Sequence, residues 1–230
     1  MRTNAGFTLV EISIVLVIVG LLLGGILKGG ELIDNAKLKN LQQDFRHLPA
    51  FIHAYEDMYK ASPGDDANAD AHLGANLCPA TDPCVASSPA NSQGDGVING
   101  WWNSNNANDE SIRLWRHLRL AGLMSGPTAT PQDNVAAFLP KNAYGGVMGV
   151  AAGDGDDRPI ISLRARRVAC SQNIPGKLAL QLDIALDDGA SNSGAMQVMA
   201  NQPMPQTAAA PAIAAADLDR EAAYTVCMSI

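Results

Sequence analysis

Between Phe7 and Leu27 the chain carries a single charged residue, Glu11, in an otherwise uncharged and mostly aliphatic run. About twenty such residues are enough for one helix to cross the hydrocarbon core of a bilayer, so a spanning helix is the natural reading. The flank Met1–Gly6 is short and polar with one basic residue, Arg2. No Ala-x-Ala site follows the apolar run, which argues against removal by ordinary signal peptidase. Arg2 favours a cytoplasmic N-terminus, although Lys28 beyond the run weakens that bias. The residues after the run are then expected outside the cytoplasmic membrane.

Glu11 is the anomaly. An ionised carboxylate inside a bilayer costs at least about 2.5 kcal/mol on insertion scales and is kept only with a partner. An amine at the same depth on a neighbouring copy would neutralise it and fix how far one helix slides along the next.

The run Gly6-Phe7-Thr8-Leu9-Val10-Glu11 resembles the prepilin processing site of type IV pilins and pseudopilins. The resemblance implies that a membrane-embedded prepilin peptidase cuts after Gly6 and methylates the new N-terminus at Phe7. Phe7, Thr8 and Glu11 then become the assembly residues, with the Phe7 amine seeking the Glu11 carboxylate of an adjacent subunit. It also implies the partners: other pilins in a filament, an assembly platform and its ATPase. The motif itself reaches about Lys60, and beyond that only the layout is similar. The implied locations are the inner membrane with a periplasmic head before assembly, and an extracellular pilus or periplasmic pseudopilus after it.

After Lys28, residues Leu38, Leu41, Phe45, Leu48, Ile52, Tyr55 and Tyr59 recur at spacings of three and four, which is one helical stripe. The expected layout is a leader at 1–6, a filament-core helix at 7–27, its amphipathic continuation at 28–60 and a globular head at 61–230. The fold class expected is α+β and pilin-like, a long N-terminal helix packed on a small antiparallel sheet. Glycines between Gly20 and Gly30, and Pro49, are places where the helix is expected to bend.

Ser62-Pro63-Gly64-Asp65-Asp66 ends that helix, and an irregular stretch follows to about Asn108. Asn108-Asp109-Glu110 caps a second helix with Ile112, Trp115 and Leu118 inward. Its arginines Arg113, Arg116 and Arg119, like Arg164, Arg166 and Arg167, read as solvated side chains. Trp101-Trp102 reads as packing under the long loop. Pro159–Leu163, Gln197–Met199 and Ala223–Ile230 read as strands, and so does Leu178–Leu186, whose leucines alternate although a helix can also start there. Asn201–Ala216 reads as a loop.

The four cysteines, Cys78, Cys84, Cys170 and Cys227, form an even set, as in disulfide-bonded exported domains. Three pairings are open, and Cys78 with Cys84 and Cys170 with Cys227 is preferred. The net charge of -7 is a poor match for a phosphate backbone and argues against nucleic acid. Asp154, Asp156 and Asp157 are the best candidates for calcium, yet their spacing completes no EF-hand and solvated turns are preferred. The four histidines lack zinc spacing, and no nucleophile elbow or phosphate loop is present. A structural subunit and not an enzyme is expected, the alternative being a minor pilin that acts in adhesion or DNA uptake.

Overall fold

The computed structural model describes residues 9–86, 92–131 and 133–230, with Leu27 by its backbone alone. Helix α1 spans Leu9–Tyr59 and crosses the division between two compact units, which lies between Lys39 and Asn40. Gly6, Phe7 and Thr8 lie outside the described residues.

In the first unit the large side chains of α1 from Leu9 to Ile26 are all exposed, Val19 least at 45% and Leu9 most at 90%. A helix apolar on every side belongs in lipid or in the middle of a protein assembly. The helix continues without a break through Gly20, Gly24, Gly25, Gly29 and Gly30. At its polar end Lys28 pairs with Glu31 at 2.8 Å.

The second unit opens with the amphipathic part of α1. Leu41, Phe45, Leu48, Ile52 and Tyr55 are buried, each burial worth roughly 1.5–3 kcal/mol. Pro49 sits inside the helix without ending it; its missing N–H leaves the Phe45 carbonyl without the usual helical donor. Termination comes at Lys60, which takes a positive φ of 55° while its amide bonds the Glu56 carbonyl at 2.8 Å. Pro63 and Gly64 then turn the chain. A Cβ at Gly64 would stand 2.5 Å from the Glu110 carbonyl oxygen, and its φ of 92° also calls for glycine.

Short helices α2 (Ala69–Leu73) and α4 (Val135–Phe138) flank α3 (Glu110–Leu120) in the chain. The strands are β1 (Met148–Ala152), β2 (Arg167–Pro175), β3 (Met196–Ala200) and β4 (Ala223–Ser229). They form one antiparallel sheet in the order β1-β2-β4-β3. A long N-terminal helix followed by this small sheet is the α+β layout expected from the sequence. β2 carries an irregularity between Ser171 and Ile174, where Asn173 takes a φ of 66°. Trp102 packs against β1 because Gly149 has no side chain: a Cβ there would lie 1.7 Å from the Trp102 carbonyl oxygen.

Two strand expectations are corrected. Leu178–Leu186 lies in helix α5 (Gly176–Leu186), which packs on β2, β3 and β4. Its buried residues Leu178, Ala179, Leu182 and Asp183 follow a helical face, whereas Ile184 is 63% exposed. Alternating leucines also recur every four residues, so the same pattern fits both periods. Pro159–Leu163 forms only an isolated parallel bridge, Ile160 to Ala210. Pro159 lacks an N–H, and Ile160 and Leu163 are buried where alternation would pair Ile160 with Ser162. Strands β1 and β2 lay outside the strand expectations: β1 is buried at all five positions and shows no alternation, and β2 begins with an arginine. The loop expected at Asn201–Ala216 holds, apart from the start of a short 3-10 turn at Ala215–Asp217.

Candidate functional site

The exposed apolar part of α1 contains one carboxylate among its described residues, Glu11, in the first turn. Ser13 satisfies its hydroxyl locally by donating to the Val10 carbonyl at 2.8 Å. The segment has a mean hydropathy of 2.7 over its best eighteen residues, long and apolar enough to cross a membrane.

In the head, α3 grips the loop closed by Cys78 and Cys84, whose sulfurs are bonded. The Asp82 carboxylate accepts from Arg113 Nη1 at 2.7 Å and Arg116 Nη1 at 2.8 Å. Arg116 also donates to the carbonyls of Asp82, Pro83 and Leu77 at 2.7, 2.9 and 3.2 Å. Arg113 and Arg116 are buried, so the reading of them as solvated is corrected, and Arg119 is buried as well. Arg119 donates to the carbonyls of Pro127 and Phe138 and lies 4.4 Å from the Phe138 ring centre. Burial lowers its pKa to about 10, which still leaves it charged at neutral pH. Arg167 is likewise buried, pairing with Glu56 of α1 and donating to Ser62 Oγ at 2.9 Å. Arg164 and Arg166 are exposed, Arg164 reaching Asp154 at 3.1 Å.

Buried carboxylates order the rest of the long loop. Asp65 accepts from the amides of Gly94, Asp95 and Gly96, and Glu110 from Ser92 Oγ and both nitrogens of Asn99. Asp66 accepts from Tyr55 Oη at 2.9 Å and pairs with His72 at 2.7 Å. Desolvation raises the pKa of both Asp65 and Glu110. Asp109, the N-cap of α3, makes no cap bond; its carboxylate accepts from Ser104 and Asn106 instead. Trp102 is fully buried and donates through Nε1 to Gln206 at 2.6 Å, while Trp101 is half-buried.

Residues 1–27 match the family model described as the prokaryotic N-terminal methylation motif. The chain carries the prepilin-type motif of type IV pilins. No curated protein and no solved structure matches the chain. The pilin motif implies processing by prepilin peptidase and assembly into filaments, and it points to a structural subunit and not an enzyme. With the apolar helix it fits membrane anchoring before assembly.

Of the residues singled out in the sequence, Glu11 stands on the exposed apolar part of α1. The sulfurs of Cys170 and Cys227 are bonded across directly opposed positions of β2 and β4, with 4.0 Å between Cα atoms. Asp154 and Asp156 are exposed, and Asp157 accepts from the Gly100 amide at 2.8 Å. These three form no close ligand group among the described residues. Sequence reasoning missed Asp82, the anion that holds two buried arginines, and His117, which bridges two loops. Asp82 lies within the Cys78–Cys84 loop, and the three-residue spacing of Arg113, Arg116 and Arg119 put them on one helix face. That spacing was the available signal.

Proposed function

We propose that this chain is a structural subunit of a type IV pilus or of a type II secretion pseudopilus. It is cut after Gly6, methylated at Phe7 and polymerised through the helix from Phe7 to about Leu27. Residues 1–6 act as leader, 7–27 as filament core, 28–60 as the connecting helix and 61–230 as the head. The observation that carries the reading is the methylation motif ending in a helix whose apolar surface is exposed on all sides and whose carboxylate is Glu11.

The physical logic follows from solvent. In the bilayer the exposed aliphatic side chains are matched by lipid, and in a filament by the same helix of neighbouring copies. A methylated amine on Phe7 of one subunit and the Glu11 carboxylate of the next neutralise each other in a medium where neither is tolerated alone. The head is placed in the periplasm before assembly and outside the core of the filament afterwards. An assembly platform and its ATPase supply the work of extraction. An adhesive minor pilin would have use for an exposed Trp101-Trp102 contact, and burial of Trp102 favours the structural role.

Glu11→Gln tests the pairing. The neutral variant is expected to insert and be processed like the parent, with at least a tenfold loss of protein in sheared filaments. Undiminished filaments from the variant would overturn the role given to Glu11.

A further inference from the structure

Asp183 is the one buried carboxylate of the head whose two oxygens both lack a hydrogen-bond partner among the described residues. It lies on the inward face of α5, fully shielded from solvent, in the last turn of the helix. The nearby Gly189 amide favours its charged form, but neither oxygen accepts a bond of hydrogen-bonding geometry. An orphaned buried carboxylate is costly, and in native proteins it is paired or bound to a cation.

Two more carboxylates converge on it. Oxygen atoms of Asp183, Asp187 and Asp188 lie within 4.8 Å of one another. The loop after α5 holds the second and third: Met196 N donates to Asp187 Oδ2 at 2.7 Å, and Ala190 N to Asp188 Oδ1 at 2.8 Å. Gly194 closes the turn over them; a Cβ there would stand 2.1 Å from Asp187 Oδ2. The end of a helix adds the partial negative charge of its free carbonyls, and the last turn of α5 has no basic residue to offset it. No ion pair to any of the three is present among the described residues.

We propose that Asp183, Asp187 and Asp188 bind a hard divalent cation of the calcium class at the C-terminal end of α5. All the donors are oxygens, one is buried and two sit on a glycine-containing loop, a set that suits calcium better than a metal that prefers nitrogen or sulfur. The cation would lock the α5–β3 connection onto the sheet.

The test uses the full chain in detergent, stripped with a chelator, with thermal unfolding followed by tryptophan fluorescence at neutral pH. About 5 mM calcium chloride is expected to raise Tm by about 3–6 °C, given the millimolar affinities of extracellular calcium sites. Asp183→Asn, which removes the charge and keeps the shape, is expected to match or exceed the Tm of the stripped parent and to lose the calcium response. Asp188→Asn, at an exposed position, is expected to shift the calcium midpoint at least fivefold without changing the stripped Tm. No calcium response in the parent would overturn the site. An equal rise with sodium chloride at matched ionic strength would overturn it too, since screening of an acidic patch would then explain the effect.

Discussion

His117 joins the Gly64 amide to the Cys84 carbonyl, accepting from the first at Nδ1 (2.9 Å) and donating to the second from Nε2 (2.9 Å). One imidazole thereby ties the turn after α1 to the disulfide loop. The arrangement requires the neutral ring with its proton on Nε2, because Nδ1 must keep a lone pair for Gly64. Tyr55 stacks on it at 5.7 Å.

Burial lowers the pKa of His117 to about 4, against an ordinary value of 6.5. The folded state therefore binds fewer protons than the unfolded chain between those values, and stability falls as pH drops through that window. Above about pH 6.5 the contribution is complete; by about pH 4 roughly 3 kcal/mol is lost. Urea unfolding of the full chain in detergent at pH 7 and pH 4.5 is expected to show this loss, and His117→Gln to flatten the histidine part of the pH dependence.

Asp82 faces two buried guanidinium groups, and removing it strands both. Asp82→Ala is expected to destabilise the head by about 3–5 kcal/mol, whereas opening the small Cys78–Cys84 loop with two serines should cost less, because Arg116 still holds the loop carbonyls. Paired urea titrations of the two variants check the order.

Gly149 leaves space for the Trp102 backbone on β1. Gly149→Ala is expected to cost about 3 kcal/mol and to change the near-ultraviolet circular dichroism, since Trp102 must move away from the sheet.

Phe45 belongs to the buried face of α1, past the apolar segment. Phe45→Ala is expected to lower head stability by about 3–5 kcal/mol while leaving cleavage after Gly6 unchanged, as read by intact mass and by melting of the same sample.

The stripe from Leu41 to Tyr55 was legible because helical periodicity and burial coincide there. Glu11 was legible because a charge in an apolar run has few explanations. The arginines of α3 were not, since their spacing equally suits a wet helix face; Arg113 and Arg116 are held by Asp82 and by carbonyls from more than thirty residues upstream, and Arg119 by carbonyls downstream. Asp183 was hidden for a related reason. As part of a strand it would alternate with the leucines and face outward, whereas helix α5 turns it inward beside Leu182. Strand β1, Met-Gly-Val-Ala-Ala, is buried at all five positions and mostly small, with Gly149 leaving room for the Trp102 backbone, and small residues leave little pattern.

The central claim is that this chain is a processed filament subunit. The direct measurement is intact mass and N-terminal sequence of the protein from membranes of cells with and without prepilin peptidase. The account predicts a start at methylated Phe7 that disappears when the peptidase is absent. A chain that keeps Met1 in both cells, or that starts at the same residue in both, would contradict it.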